Sequence, residues 1–251
     1  MVLIQPEWDF YFCKVEGKIA SIMLDLALVN HLPIENKPFL VQVAVDLQSP
    51  DSHGLTTQSE AEVLFILEDQ LSDVLGEELD ALYVARNTSA GKRTFYFYTA
   101  STTAYRGILA EIMDGFTFSF TSQATSDPGW TFYKEFLFPT QQEYRSIVNR
   151  KVVDQLIAQG DNPEIPREVA HKCQFPAMHM AERFLRHAGK ANFEIAQLRE
   201  RSGSTQVEVV LTRKDAVYLE RIDEVVQSIV KMMNPFKGVY QGWNTFIAIG
   251  E

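Results

Sequence analysis

The chain has 251 residues, of which 46% are hydrophobic and 22% are charged, and its formal net charge is −10. This length and apolar content suit one large core or two small ones. Uninterrupted apolar stretches such as Ile22–Leu24 are far shorter than the roughly 20 residues that span a bilayer, so no transmembrane helix is predicted. No basic residue precedes Glu7, and we predict neither a signal peptide nor a location outside the cytoplasm.

Cysteine content and charge distribution narrow the functional classes further. The two cysteines, Cys13 and Cys173, are too few for a disulfide framework, and we predict two buried thiols in a reducing compartment. Residues 1–140 carry 8 basic and 19 acidic side chains, whereas residues 141–251 carry 15 and 14. Because affinity for nucleic acid comes largely from lysine and arginine, the acidic first half is not expected to bind DNA directly.

The spacing of apolar residues predicts the strands and helices of the first half. Strand-like segments rich in β-branched and aromatic residues come first, and Glu16-Gly17 turns the first of them into the second. From Ser59 to Leu75 apolar residues recur at helical spacing, and Gly76 is predicted to end this helix. In chain order we predict strands at Trp8–Val15, Ile19–Leu26 and Phe39–Asp46, the helix at Ser59–Leu75, strands at Leu82–Asn87 and Arg93–Thr99, a helix at Thr102–Met113, and closing strands at Phe116–Thr121 and Trp130–Phe138.

The pattern changes at Pro139 and Thr140, where a long helical segment ended by Gly160 begins. We therefore predict two domains, residues 1–140 and 141–251. The elements predicted after this leading helix are a strand at Val169–Phe175, a helix at Ala177–Ala188, strands at Phe193–Arg201 and Gln206–Thr212, a helix at Asp215–Met233 and a strand at Val239–Ile249.

Both halves contain the element order βαββαβ, which predicts an α+β protein made of two ferredoxin-like sandwich domains. The first domain has an extra N-terminal hairpin and a closing strand, and the second has a leading helix. Because such folds host many unrelated activities, the predicted fold leaves the function open.

Motifs that would reveal an enzyme are absent from the sequence. There is no Gly-x-Ser-x-Gly nucleophile motif, no glycine-rich phosphate loop and no Gly-x-Gly-x-x-Gly fingerprint. His171 and Cys173 lie two apart on a predicted strand and so face the same side, as two zinc ligands would. No second pair at ligand spacing follows, and we predict no catalytic residue, no metal and no cofactor.

Four consecutive aromatic residues, Phe95–Tyr98, lie on one predicted strand, so two of them face each side of the sheet. If helices cover only one side, the other pair needs the N-terminal hairpin, the second domain, a subunit or a ligand as its cover. Tyr96 and Tyr98 are therefore candidate interaction residues.

Specific motifs in the second half resemble a known family. Three motifs occur in order: Leu156-Ile157-Ala158-Gln159-Gly160-Asp161-Asn162-Pro163, then Val169-Ala170-His171-Lys172, and finally Tyr240-Gln241-Gly242-Trp243. With these motifs the chain resembles RraB, the regulator of ribonuclease E activity, over about residues 141–249. The first half has Trp8-Asp9-Phe10-Tyr11 near its start and Trp130-x-x-Tyr133-x-x-Phe136-Leu137-x-Pro139 at its end. With these motifs it resembles an uncharacterised family of the DUF695 type.

The resemblance to RraB implies a ferredoxin-like protein that binds the endoribonuclease, lowers its activity and performs no chemistry itself. We therefore expect a non-enzymatic, cytoplasmic regulator with a protein partner, for which an endoribonuclease is the candidate. RraB proteins are typically acidic, whereas here the acidity lies in residues 1–140. This fusion therefore uses its first domain for electrostatic contact with the partner, or it has another partner.

Four residues of this resemblance are further candidate interaction or motif residues: His171, Tyr240, Gly242 and Trp243. Tyr240 and Trp243 lie three apart, so they would face opposite sides of a regular strand unless Gly242 marks a bulge. Earlier in the motif, we expect Gly160 to supply the left-handed residue that ends the helix.

Two other functions remain open from the sequence. The main alternative is a small-molecule or metal-binding protein, or an unrecognised enzyme, with its site between the domains, where clefts often form. The other is RNA binding by stacking on Phe95–Tyr98, although the setting is acidic and the Lys/Arg-Gly-Phe signature is absent.

Overall fold

The computed structural model describes residues 5–200 and 204–250. The chain divides into two compact units, with the division between Tyr144 and Arg145. Each unit has its own antiparallel sheet packed with helices, which makes the protein α+β. No helix within the described ranges has both the length and the apolar character needed to cross a bilayer.

The first unit contains a six-stranded antiparallel sheet. In chain order its elements are β1 (Trp8–Val15), β2 (Lys18–Asp25), a 3₁₀ segment (Leu26–His31), β3 (Phe39–Asp46), α1 (Gln58–Leu79), β4 (Leu82–Ser89), β5 (Lys92–Thr99), α2 (Tyr105–Met113), β6 (Phe120–Ser126) and a π-helical segment (Tyr133–Leu137). The strand order is β1-β2-β4-β5-β3-β6. The four strands from β3 to β6 have the ferredoxin-like order, and the β1–β2 hairpin extends the sheet beyond β4.

Helix α1 covers one face of this sheet. Leu64, Leu67, Leu71 and Leu75 recur at intervals of three and four residues and are buried against a core that includes Val43 of β3 together with residues of β5 and α2. The helix continues past Gly76, which was wrongly predicted to end it. It ends where the backbone of Asp80 turns left-handed, with a φ of 49°.

The segment Trp130–Phe138 was wrongly predicted to be a strand, because it is helical from residue 131 to residue 137. The Asp127 carboxylate accepts the backbone N–H groups of Thr131 at 2.8 Å and Phe132 at 3.0 Å, so the chain begins a helical turn there. β6 forms the closing strand at Phe120–Ser126 instead of Phe116–Thr121.

This helical segment covers the second face of the sheet. The rings of Tyr98 and Trp130 stack with centroids 3.7 Å apart, and Tyr96 packs on Phe132 at 5.3 Å. The Tyr11 hydroxyl donates to the Leu137 carbonyl at 2.9 Å, which joins the segment to β1. Aromatic residues of β5 are therefore buried on both faces.

The second unit repeats the ferredoxin-like arrangement with four strands. Its elements are α3 (Gln141–Ala158), β7 (Arg167–Phe175), α4 (Met178–Lys190), β8 (Glu194–Glu200), β9 (Val207–Asp215), α5 (Leu219–Met233), a 3₁₀ segment (Asn234–Phe236) and β10 (Val239–Thr245). Helix α3 starts just before the division and supplies the leading helix. The strand order β10-β7-β9-β8 and the antiparallel pairing confirm the predicted fold class.

The core of the second unit lies on one face of its sheet. Phe175 of β7 and Leu211 of β9 pack with Phe184 of α4 and Ile229 of α5. Most elements end within a few residues of the predicted ends, although β10 stops at Thr245 rather than Ile249. The predicted last residue of β8, Arg201, lies outside the described part of the chain.

A capping box begins α3 at the predicted boundary. The Thr140 backbone N–H donates to the Glu143 carboxylate at 2.8 Å, and the Glu143 N–H donates to the Thr140 hydroxyl at 3.3 Å. Cutting the chain after Thr140 therefore removes a local helix-start signal from the second half.

The independence of the two halves is still a prediction, and fragments test it. We expect residues 1–140 and 141–251 each to unfold cooperatively in urea, because each contains a complete sheet and core. A fragment of residues 139–251 should be about 1 kcal/mol more stable than 141–251, since it keeps the capping box. Failure of both halves to fold alone would contradict the domain assignment.

Candidate functional site

His171, a candidate interaction residue, lies on the buried face of β7 with none of its surface exposed. Its Nδ1 is 2.8 Å from the Tyr240 hydroxyl of β10, and its ring meets Phe193 edge to face. Nε2 has no hydrogen-bond partner within the described residues. Burial lowers the pKa of His171 to about 4, Asp215 opposes this shift, and Arg213 adds to it. The imidazole is therefore neutral at physiological pH.

Gly242 forms the bulge that the sequence allowed. The pairing of β10 with β7 shifts between Tyr240 and Gly242, where the glycine φ is 123°. Because of this shift, Tyr240 lies opposite Cys173 and Trp243 lies opposite His171. Tyr240 and Trp243 therefore face the same, buried side of the sheet.

Trp243 joins β10 to two helices through a polar chain. Its indole N–H donates to Asn149 of α3 at 2.9 Å, and the Asn149 amide donates to Asp223 of α5 at 2.7 Å. Ser146 donates to the other oxygen of the same carboxylate. Trp243 is thus a structural anchor with a satisfied polar atom.

The Gly-Asp segment after α3 holds the loops at one end of the second sheet. Gly160 ends the helix with a φ of 88°, which confirms the predicted left-handed residue. The Asp161 carboxylate accepts from Arg167 at 2.5 Å and from the Ala248 N–H at 2.7 Å. Both charged side chains are buried, so this ion pair fixes the chain that follows β10.

Cys173, the second residue of the candidate zinc pair, is buried. This thiol faces the same buried side as His171, and burial raises its pKa to about 12. Within residues 5–200 and 204–250, no group of three His, Cys, Asp or Glu side chains is placed to hold a metal ion. The prediction of two buried thiols holds for Cys173, whereas Cys13 is only half-buried.

Tyr96 and Tyr98, the candidates of the first unit, are buried in the aromatic contact with the 130–138 segment. The Tyr98 hydroxyl donates to Asp127 at 2.6 Å. Their cover therefore comes from the same unit, and from a segment that the sequence analysis had placed in the sheet.

The opposite face of the second sheet is polar, and we call it the open sheet face. At the end of this face where β8 finishes and β9 begins lies a shallow cleft of about 700 Å³, lined by Lys172, Gln174, Arg199, Glu208 and Gln241, among others. Gln241 donates to Gln174 at 3.1 Å, and Arg199 donates to Glu208 at 2.9 Å. Sequence reasoning missed this face, although exposed residues alternate with buried ones along β7.

A second cluster that the sequence analysis missed lies at the end of β9. The buried Asp215 carboxylate accepts from Arg213 at 2.7 Å and from Arg221 at 2.6 Å. The Arg213 guanidinium also lies 4.2 Å from the centre of the Phe193 ring. These contacts satisfy the carboxylate within the fold and give the cluster a structural role.

The buried His171 predicts a specific pH dependence of stability. The unfolded chain binds a proton near the ordinary pKa of 6.5, whereas the folded chain stays neutral to about 4. Stability contributed by this group is therefore complete above pH 6.5 and is lost between pH 6.5 and pH 4, by about 3 kcal/mol in total.

Urea unfolding at pH 7, 5.5 and 4 measures this loss in the wild type and in His171→Phe. The variant starts from lower stability because Tyr240 loses its partner, but its pH slope should be shallower. Equal slopes in the two proteins would contradict the assignment of a buried neutral imidazole.

Comparisons with known proteins divide the chain at the same place as the fold. The model of the "Family of unknown function (DUF695)" matches residues 6–138, slightly more than half of the chain. The model of "Regulator of ribonuclease activity B" (RraB) matches residues 146–245. No curated protein matches the chain.

Solved structures add little to these family matches. One, described provisionally as a glycine cleavage system transcriptional repressor, is 10% identical, with coverage of 83% of this chain and 98% of that one and a TM-score of 0.24. An unknown protein from Galdieria sulphuraria is 11% identical, with coverage of 82% and 96% and a TM-score of 0.23. The family matches identify the chain as a member of the DUF695 family whose second half is RraB-like.

Proposed function

We propose that this protein is a cytoplasmic, non-enzymatic regulator that binds an endoribonuclease of the ribonuclease E type and lowers its activity. The observation that carries the proposal is the RraB match over residues 146–245, which spans the whole ferredoxin-like βαββαβ part of the second unit. The ribonuclease is proposed as the partner because the matched family is described as a regulator of ribonuclease activity.

The open sheet face is the proposed contact with the nuclease. His171, Tyr240 and Trp243 support β7 and β10 from the buried side, and Gly242 supplies the bulge that brings Tyr240 and Trp243 to that side, so these motif residues position the open sheet face. Lys172 and Gln174 of β7 alternate with these supports and point outwards. Amide and charged groups on a rigid sheet give hydrogen-bonded specificity to a protein interface.

The acidic first unit would act by electrostatic attraction. Its charge of −11 over residues 1–140 favours encounter with a basic partner, and this attraction weakens as salt screens the charges. Tyr96 and Tyr98 contribute through the aromatic packing that keeps the unit folded.

A charge reversal on the open sheet face tests the proposal. With a purified endoribonuclease of this type and a labelled RNA substrate, we expect the wild-type protein to slow cleavage. Lys172→Glu should weaken binding about tenfold or more, because a carboxylate cannot donate the hydrogen bonds that the lysine ammonium group would give to the partner. Binding is measured by titration with the nuclease, and inhibition is measured from the cleavage rate.

Lys231→Glu is the matched control, since Lys231 is an exposed lysine on α5, the helix that packs against the other face of the same sheet. It makes the same change in net charge, so it should leave binding and inhibition close to wild type. No inhibition by the wild type would refute the nuclease assignment. Equal effects of the two variants would refute the open sheet face as the contact.

A further inference from the structure

The β1–β2 hairpin extends past the helices of the first unit. Strands β3 to β6 contribute to the core beneath α1 and α2, whereas the described members of this core include no residue of β1 or β2. On the sheet face that α1 and α2 pack against, the hairpin has three exposed apolar side chains. They are Trp8, which is 37% exposed, Phe12, which is 58% exposed, and Ile19, which is 37% exposed. An apolar strip therefore lies beside α1, and exposed strips of this kind mark interaction sites.

Pairing across the strands makes this strip continuous with α1. Phe10 lies opposite Met23, and Met23 lies opposite Arg86 of β4. The Arg86 guanidinium is 5.2 Å from the centre of the Phe65 ring on α1. Trp8 stacks at 5.3 Å on Tyr83, whose hydroxyl donates to Glu68 of the same helix at 2.9 Å. The hairpin is thus the floor of a groove, and α1 is its wall; we call it the hairpin groove.

The wall of the hairpin groove is acidic. Helix α1 contains seven acidic residues and no lysine, arginine or histidine. Glu62, Phe65 and Asp69 recur at intervals of three and four residues, so they lie along one stripe of the helix. Of the acidic residues in α1, Glu60 and Glu68 are buried and bonded within the unit, whereas Glu62, Asp69 and Asp73 are exposed.

The dimensions of the groove fit one helix. Strands lie about 4.8 Å apart, so a two-stranded floor is about 10 Å wide, which matches the diameter of a helix and the usual spacing of packed helices. Strands of eight residues extend about 26 Å, the length of about 17 helical residues. A helix beside α1 would continue the layer that α1 and α2 begin.

Addition of a strand to the edge at β1 is less favoured than this docking. The Asp9 carboxylate accepts the N–H of Phe10 at 2.8 Å, so a side chain already occupies a donor that strand pairing would need.

We propose that the hairpin groove binds a basic amphipathic helix of a partner protein, with apolar residues on Trp8, Phe12 and Ile19 and lysine or arginine beside Glu62 and Asp69. This inference concerns the first unit and does not depend on the nuclease assignment. It belongs to the helix-in-groove mode of recognition.

Intrinsic fluorescence provides a direct readout in the full-length chain. Of the three tryptophans, Trp130 and Trp243 are 0% and 8% exposed, whereas Trp8 is 37% exposed and lies in the groove. The probe is an amphipathic peptide of about 18 residues made of leucine and lysine, long enough to fill the groove. We expect a saturable blue shift of the emission with one peptide bound per chain.

Variants distinguish binding of the peptide in the hairpin groove from non-specific attraction between a basic peptide and an acidic protein. Phe12→Ser should weaken peptide binding about tenfold, because the peptide then buries less aromatic surface. Glu62→Gln with Asp69→Asn should weaken binding at low salt and flatten its dependence on salt between about 0.05 and 0.3 M. The control Ile249→Ser changes an equally apolar residue that is 77% exposed in the second unit, and it should bind as the wild type does.

Three outcomes would overturn the proposal. The first is equal binding of a peptide with the same composition but no helical periodicity of its leucines. The second is full binding by Phe12→Ser. The third is dimerisation of the protein alone, seen by sedimentation and abolished by Phe12→Ser, which would assign the groove to a second copy of the chain.

Discussion

Each β-sheet has two faces, and an apolar face in water must be covered by other parts of the protein. In the second unit this requirement applies to one face, because buried and exposed residues alternate along β7. In the first unit it applies to both, because consecutive residues Phe97 and Tyr98 are fully buried on opposite sides of β5. Helices α1 and α2 cover one side of the sheet, and the helical 130–138 segment covers the other side.

The sequence predicted the layers of the fold better than it predicted this cover. Trp130, Tyr133 and Leu137 are spaced for a helix, but alternation of aromatic and polar residues in the same segment also fits a strand. The outcome depends on Asp127, which caps the turn before the segment and also binds the Tyr98 hydroxyl. That second contact joins residues 29 positions apart, so no local pattern could reveal it.

The candidate site shows the same limit. Gly242 was recognised as a possible bulge, but only the register of β10 against β7 determines that Tyr240 and Trp243 share a face. The hydrogen bond between Tyr240 and His171 spans 69 residues, and the one from Trp243 to Asn149 spans 94. The motif residues therefore indicate which strands and helices contact each other. The exposed residues beside them determine which partner can bind.

The two proposed surfaces have different physical characters, and this difference affects how they would act together. The hairpin groove combines exposed aromatic rings with the exposed acidic side chains of α1, whereas the open sheet face carries both signs of charge and hydrogen-bonding amides. Because one chain carries both, binding at one surface would raise the local concentration of the same partner at the other, provided that the partner spans both. Salt would weaken the groove contact more than the sheet contact, since ions screen an excess of one charge more than a balanced set of hydrogen bonds. A regulator built this way would discriminate between partners through the sheet and would set the rate of encounter through the groove.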